Sequence, residues 1–217
     1  NGDVARLTSL RPVAVVGLSG QAVEVAAGAS FACARLASGS LQCWGETTAG
    51  QLGDGLPRAG GLVRPVRVQE PPSRVERVDA GEAHACAVAT DGAVHCWGAN
   101  IQGQVLPDGD AAYAVPTAVG LGGDGGRLIG LGTSHTCVAG PEGVRCWGRS
   151  ALGRLGAGES GCDDGDDDDA DGLTDCDDPD CLGFVACSGD SLYPAPQDLG
   201  GAEVVALSGG QSHTCAA

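Results

Sequence analysis

The chain has 217 residues, a formal net charge of −16 and 38 glycines, but only 3% aromatic residues. No apolar run approaches the ~20 residues of a membrane helix, so we expect no membrane span. All twelve basic residues are arginine, which is typical of a GC-rich bacterial source. Their number is small against 28 acidic residues. Nucleic acid is therefore excluded as a partner, because phosphate binding requires clustered Lys and Arg.

The chain is a tandem repeat. Residues 81–98 read Gly-Glu-Ala-His-Ala-Cys, a turn and then Cys-Trp-Gly, and near-copies begin at Gly28, Gly132 and Gly210. The Cys that ends each Gly-to-Cys motif follows the same Cys of the preceding copy by 53, 51 and 78 residues. Such a period indicates an array of small units. The predicted boundaries are 1–20 for the end of a preceding unit, 21–69 and 70–120 for two complete repeats, 121–200 for a third repeat with an insert at 159–188, and 201–217 for the start of another.

Each repeat predicts four short strands in a fixed order. A short apolar strand comes first, then the Gly-x-x-His-x-Cys strand, the Cys-Trp-Gly strand and a Pro-Val strand. Residues 11–15 match the Pro-Val strand and are expected to end a preceding unit. Short β runs at even spacing with Gly-rich turns and no helical periodicity predict an all-β fold.

Cysteines stand opposite one another across the turn of each repeat. Opposed residues on antiparallel strands are close enough for a disulfide after a small adjustment. Zinc is the rival interpretation, but it needs four converging ligands, and Phe31 replaces the repeated His in the first copy. We therefore expect disulfides, which place the protein in an oxidising, extracellular environment. The predicted pairs are Cys33–Cys43, Cys86–Cys96 and Cys137–Cys146.

The repeated histidines and tryptophans could suggest a catalytic site. One residue of each type at the same offset in successive copies is instead typical of a packing position. The histidines are His84, His135 and His213, and the tryptophans, expected to anchor the cores of the units, are Trp44, Trp97 and Trp147. No nucleophile elbow, phosphate loop or pair of general-acid carboxylates is present. The sequence therefore predicts that the chain is not an enzyme.

The combined motif closely resembles the RCC1 repeat. It comprises Gly-x-x-His-x-Cys, Cys-Trp-Gly and then Gly-Gln-Leu-Gly at residues 50–53. The resemblance implies a β-propeller of four-stranded blades, usually seven, of which this chain would cover about four. The paired cysteines are similar to those of secreted bacterial members. On this interpretation the chain is part of a longer propeller, and the partner of Cys215 would lie beyond it.

An acidic insert lengthens the third repeat. Residues 162–181 contain eleven Asp and no basic residue. One register places Asp at positions 1, 3 and 5 of a loop, Gly172 at position 6 and further oxygen ligands at 7, 9 and 12, as in a calcium loop. The predicted ligands are Asp167, Asp169, Asp171, the Leu173 carbonyl, Asp175 and Asp178.

The insert is similar to the Asp-rich calcium loops of thrombospondin type 3 and dockerin modules, and calcium there would be structural. The alternative is a solvated, disordered acidic loop. Four further cysteines are expected to form disulfides in or beside the insert, with three possible pairings: Cys162, Cys176, Cys181 and Cys187.

Three functional hypotheses follow. The first is a non-catalytic extracellular scaffold that binds a protein or glycan at the cell surface through loops of different length. The second is a structural subunit of a surface appendage or matrix, which would form a homo-oligomer or filament. The third is an inhibitor of a secreted enzyme, by similarity to a secreted bacterial relative. Nucleotide exchange on a small GTPase, the activity of nuclear relatives, is disfavoured by the disulfides.

Overall fold

The computed structural model describes residues 9, 11–56, 59–69, 73–107, 109–121, 125–141, 143–149, 155, 207–209 and 214–216. Within these ranges the secondary structure is entirely β. The strands are β1 Ala22–Ala27, β2 Phe31–Leu36, β3 Leu41–Glu46, β4 Gly61–Arg67, β5 Val75–Ala80, β6 His84–Ala89, β7 Val94–Ala99, β8 Ala112–Val119, β9 Leu128–Leu131, β10 His135–Gly140, β11 Gly143–Gly148, β12 Leu207–Gly209 and β13 Thr214–Ala216.

Consecutive strands pair antiparallel to form one sheet per repeat. Strands β1 to β4 form the first four-stranded sheet, called blade 1, and β5 to β8 form blade 2 in the same order. Strands β9 to β11 form the described part of blade 3, and β12 pairs with β13. The predicted strand order and all-β class are confirmed. The predicted Pro-Val strands are β4, which contains Pro65, and β8, which contains Pro116.

Blade 2 shows why these strands are rich in small residues. All six residues of β6 are buried, and five of the six in β7. Both faces of these central strands are covered because blade 2 lies between blades 1 and 3. Alanine and cysteine occupy four of the six positions of β6, which leaves room between the sheets for larger buried side chains such as Trp97.

The hydrophobic core lies between the blades. Phe31 and Leu41 of blade 1 pack in one cluster with Val78 and Trp97 of blade 2. A second cluster joins blade 2 to blade 3 and includes Trp147. The first strands β1, β5 and β9 also contact their neighbours in succession. The blades are therefore stacked face to face with their first strands side by side.

Two sequence predictions have different outcomes at the start of the chain. Residues 11–15 form no strand, and Val13 and Val15 are exposed. Their assignment as a Pro-Val strand is wrong for this structure, because they pair with no described strand. Residues 1–8 and 10 lie outside the described residues, so the unit boundary at 1–20 stays a prediction.

Within the described ranges, no helix has the length and apolar character required to cross a bilayer.

Candidate functional site

Each described blade is braced by a disulfide across its two central strands. The pairs are Cys33–Cys43, Cys86–Cys96 and Cys137–Cys146, each with a Cα–Cα distance of 4.1 Å. The two cysteines of each pair are directly opposed in the strand register. These are the pairs that the repeat predicts. They bridge adjacent strands and hold the turn at one end of each blade.

The Gly-Gln-Leu-Gly loop of blade 1 reaches into blade 2. The indole Nε1 of Trp97 donates a 2.9 Å hydrogen bond to the carbonyl of Gln51, and Leu52 is fully buried. Gly53 has a φ of +66°, and a Cβ there would lie 2.9 Å from Trp97 Nε1. Only glycine therefore lets the loop turn and approach the indole ring this closely. This loop fastens one blade to the next.

The equivalent loop of blade 2 also reaches the next blade, but here a threonine donates a hydrogen bond to the loop. The Thr136 hydroxyl donates a 2.8 Å hydrogen bond to the Gln104 carbonyl, and Val105 and Trp147 are buried. In contrast, Trp44 of blade 1 is half-buried. The prediction that the tryptophans anchor blade cores holds for Trp97 and Trp147. It is wrong for Trp44 in the described structure, because no described loop covers its indole as Gln51 covers that of Trp97.

The repeated histidine is a packing residue in blade 2. His84 is fully buried, and its Nε2 lies 3.0 Å from the Thr136 hydroxyl of blade 3. Burial, assisted by the nearby His135, lowers the pKa of His84 to about 3. The imidazole is therefore neutral at physiological pH and inaccessible to a substrate. Phe31 is also buried at the equivalent position of blade 1, as expected for a packing site. His213 lies outside the described residues.

The predicted calcium ligands and the insert cysteines lie outside the described residues, so both assignments stay predictions. The ligands are Asp167, Asp169, Asp171, Leu173, Asp175 and Asp178, and the cysteines are Cys162, Cys176, Cys181 and Cys187. In the part of the chain that the structure describes, no group of three or more His, Cys, Asp or Glu could hold a metal ion.

The loops between the third and fourth strands carry exposed apolar side chains. Leu56 is 52% exposed and Ile101 is 76% exposed. Gly55, next to Leu56, donates a 2.9 Å hydrogen bond to the Ala114 carbonyl, which fixes the loop of blade 1 against the outer strand of blade 2. Large apolar side chains on such fixed loops offer contact area to a partner.

Asn100 organises the blade 2 loop, and the sequence reasoning missed it. Its side-chain carbonyl accepts the backbone N–H groups of Val105 and Leu106 at 2.7 and 3.0 Å. Its amide donates to the carbonyls of Leu106 and Asp110, both at 2.9 Å. The equivalent residue of blade 1 is Thr47, so comparison of the copies gives no signal for this role.

The stacked four-stranded blades, with their first strands side by side, define a β-propeller. Sequence profiles of the family described as Regulator of chromosome condensation (RCC1) repeat match residues 22–51 and 75–104, and a second profile of that description matches 38–88. The ultraviolet-B receptor UVR8 of Arabidopsis thaliana is 29% identical over 143 residues, which cover 64% of this chain and 32% of that protein.

Solved structures show the same fold. Human WBSCR16 superposes with a TM-score of 0.57 and 25% identity over 64% of this chain and 36% of its own. Prp20p from Saccharomyces cerevisiae superposes with a TM-score of 0.67 and 17% identity over 90% of this chain and 43% of its own. The chain thus spans less than half the length of the relatives it matches. Together with the strand order, these similarities support an RCC1-repeat β-propeller.

Proposed function

We propose that the protein is a non-catalytic, extracellular scaffold that binds a partner protein through its inter-strand loops. One observation supports this proposal above all. The disulfide-linked strands repeat from blade to blade, whereas the loops between the third and fourth strands differ. Leu56 and Ile101 are large, exposed and apolar on these loops, whereas the framework beneath them repeats its disulfide and tryptophan. Recognition residues concentrate on such variable loops over a fixed scaffold.

Exposed apolar side chains favour a protein partner over a glycan. Burying such a side chain at an interface contributes about 1.5–3 kcal/mol, and hot spots are large residues of this kind. Prp20p, which shares the fold, has binding properties towards Gsp1p and histones. That example supports protein binding as a use of this fold. It does not identify the partner of the present chain.

The extracellular location is supported by the cysteines. Three disulfides in the described blades fit an oxidising environment. Thiol quantification on the native protein from its source cells would test this: we expect the six blade cysteines to resist alkylation until a reductant is added. Rapid alkylation without reductant, with the protein recovered from the cytosol, would contradict the proposed location.

Partner capture tests the binding surface. The immobilised protein is exposed to surface and culture-fluid proteins of its source, and captured proteins are measured for the wild type, Leu56→Glu and Ile101→Glu. We expect the two loop variants to lose the partner, because each places a charge in an apolar contact. Val23→Glu is the matched control, since Val23 is also exposed at 48% but lies on the first strand β1. Equal capture by all variants, or capture only of glycans, would contradict the proposal.

We further propose that the acidic insert holds a structural calcium ion. The donor set fits a hard cation, because it consists of carboxylates and one backbone carbonyl at the spacing of a calcium loop. Bound calcium would supply positive charge among carboxylates that otherwise repel one another. The side chains at positions 3 and 5, Asp169 and Asp171, are central to this set.

Calorimetric titration tests the calcium proposal. We expect saturable binding by the wild type and its loss in Asp169→Ala with Asp171→Ala. The matched control is Asp163→Ala with Asp164→Ala, which removes the same charge from the same insert but outside the predicted register. Calcium binding that is weakened equally by both double variants would indicate a diffuse acidic loop and would exclude the defined site.

A further inference from the structure

Blade 2 holds blade 3 through two side chains that contact one pair of residues. Leu131 of β9 lies directly opposite Thr136 of β10. The Asp79 carboxylate accepts the backbone N–H of Leu131 at 2.8 Å, and the His84 Nε2 lies 3.0 Å from the Thr136 hydroxyl. We call these four residues the blade 2–3 latch. Both of its titratable side chains belong to blade 2, and both contacts end on adjacent strands of blade 3.

The Asp79 carboxylate joins the backbones of the two blades. Its second oxygen accepts the N–H of its own neighbour, Ala80, at 2.8 Å. Ala80 and Leu131 occupy equivalent positions, because they lie opposite Ala85 and Thr136 in the strand register. One carboxylate thus accepts the same N–H group from two successive blades. Leu131 is buried, so removal of the Asp79 acceptor would leave a donor with little access to water.

The repeat does not require either titratable side chain. Asp79 corresponds to Ala26 of blade 1, since both lie opposite the first cysteine of the disulfide in their blade. His84 corresponds to Phe31, which occupies the same place in its hairpin. Ala26 and Phe31 are buried in the core between blades 1 and 2. The first junction is therefore apolar at the two positions that carry a carboxyl and an imidazole at the second junction.

The two groups respond to protons in opposite senses. Burial raises the pKa of the Asp79 carboxyl above its ordinary value of 3.8, whereas burial lowers the pKa of His84 from 6.5 to about 3. Acid weakens the junction through His84, because opening gives the imidazole access to a proton as the pH falls below 6.5. The Asp79 contribution to stability is fully present below pH 3.8 and is lost as the pH rises through the raised pKa. The two effects therefore oppose each other in mild acid.

The surroundings of Asp79 favour its neutral form. Glu24 adds to the effect of burial on the Asp79 pKa, and the N–H groups of Leu131 and Ala80 oppose it. The charge of Glu24 is partly balanced by Arg35, whose Nε lies 2.7 Å from a Glu24 oxygen. Strand β9 has no titratable side chain. The titratable and charged residues on the strands packed around Asp79 are Glu24 on β1, Arg35 on β2, Glu76 and Arg77 on β5 and His84 on β6.

We propose that the blade 2–3 latch is a proton-compensated contact, in which protonation of Asp79 offsets the acid-induced weakening at His84 and keeps blade 3 on blade 2 in mild acid. A protonated carboxyl retains an acceptor oxygen for the Leu131 N–H but no longer carries a buried charge. The compensation requires both groups at one junction, which is where the chain places them. The latch is separate from the loop surface proposed for partner binding, because its residues lie on the first two strands of their blades.

Urea titrations at pH 6.5 and pH 4 and constant ionic strength test the proposal. Asparagine is neutral at both pH values, and its side-chain oxygen can still accept the Leu131 N–H. We expect acidification to raise the unfolding equilibrium constant of Asp79→Asn about threefold or more beyond the rise in the wild type. The contributions of other carboxylates are common to both proteins and cancel in this comparison. Equal rises in the two proteins would overturn the proposal.

Glu76→Gln is the matched control, because Glu76 is an exposed carboxylate on the same strand β5. It removes the same charge away from the latch, and we expect its acid response to follow the wild type. Equal excess rises in Glu76→Gln and Asp79→Asn would show a general charge effect and overturn the latch.

Hydrogen exchange at the Leu131 amide locates the effect at the junction. Corrected for intrinsic exchange rates, its protection factor should fall with acid about threefold or more in Asp79→Asn relative to the wild type. His84→Phe provides an arm that leaves Asp79 in place. There the Leu131 protection factor is expected to rise between pH 6.5 and pH 4, because only Asp79 then titrates at the latch. A fall in His84→Phe, or equal protection in the wild type and Asp79→Asn, would overturn the proposal.

Discussion

The indole Nε1 of Trp97 lies 2.9 Å from the carbonyl oxygen of Gln51 and donates a hydrogen bond to it across the junction of blades 1 and 2. Both residues are buried, so neither group has water as an alternative partner. The loop that follows the third strand of one blade is thereby built into the core of the next. Adjacent blades consequently depend on each other for a complete core.

Trp97→Phe tests this dependence. The substitution keeps an aromatic ring but leaves the buried Gln51 carbonyl without its indole donor and opens a small cavity. We expect a loss of about 2–4 kcal/mol in the free energy of unfolding, from the unsatisfied carbonyl and the lost packing. Denaturant unfolding monitored by far-UV circular dichroism would measure it.

Trp44→Phe is the control for this measurement. Trp44 has the same place in its blade but is half-buried. The same substitution there is expected to cost less than about 1.5 kcal/mol, because a side chain that is still partly in water loses less on truncation. Equal losses at the two positions would contradict the role assigned to the inter-blade hydrogen bond.

Gly81→Ala tests how closely the blades approach at their inner edge. A Cβ at Gly81 would lie 2.4 Å from the Gly132 carbonyl oxygen and 2.3 Å from the His84 ring, so blades 2 and 3 would have to separate. We expect a destabilisation of about 1–3 kcal/mol, as for overpacked cores. At Gly120 nothing lies within 4 Å of an added Cβ. Gly120→Ala should therefore change the unfolding free energy by no more than about 0.5 kcal/mol.

Removal of one bridge tests the contribution of the disulfides. Cys86→Ala with Cys96→Ala opens a loop with a sequence separation of 10. We expect a loss of about 2–3 kcal/mol in the free energy of unfolding under oxidising conditions, from the chain-entropy model. The same comparison after full reduction is the control. The difference between wild type and variant should then shrink, and a difference that persists would assign the effect to packing.

The repeat made most of the fold predictable. Opposed cysteines at fixed spacing predicted the register of the central hairpin, because a one-residue slip would separate the two sulfurs and turn the side chains to the other face. The turn at Pro141 illustrates this: the third interval is shorter by one residue, yet Cys137 remains opposite Cys146. Local periodicity and covalent geometry were sufficient for these elements.

The contacts between blades could not be predicted in the same way. Nothing in the motif around Gly81 says that its neighbour is the Gly132 carbonyl, since that contact depends on how two sheets stack. Likewise, Arg67 and Arg74 come from the end of one blade and the start of the next, and only the junction brings both to one crevice. Contacts of this kind are set by tertiary packing and leave no periodic signal.

His84 predicts a pH dependence of stability with a defined sign. Its pKa is about 3 in the folded protein because burial disfavours the imidazolium, whereas an unfolded chain titrates near the usual 6.5. Above pH 6.5 the residue is neutral in both states and its effect is absent. As the pH falls from 6.5 towards 3, the unfolded state binds the proton preferentially, so stability is lost at up to about 1.4 kcal/mol per pH unit.

His84→Phe removes this slope and keeps the packing, since Phe31 fills the same position in blade 1. The 2.8 Å hydrogen bond from the Thr136 hydroxyl to the Gln104 carbonyl does not involve the His84 ring, so we expect the variant to keep it. We expect the wild type to lose more unfolding free energy than the variant between pH 7 and pH 5, by about 1–2 kcal/mol, in urea titrations at constant ionic strength. His95→Phe is a matched control, because His95 has a smaller burial-driven lowering of its pKa that Asp91 opposes. Parallel pH profiles for wild type and His84→Phe would show that His84 is not the group that destabilises the fold in acid.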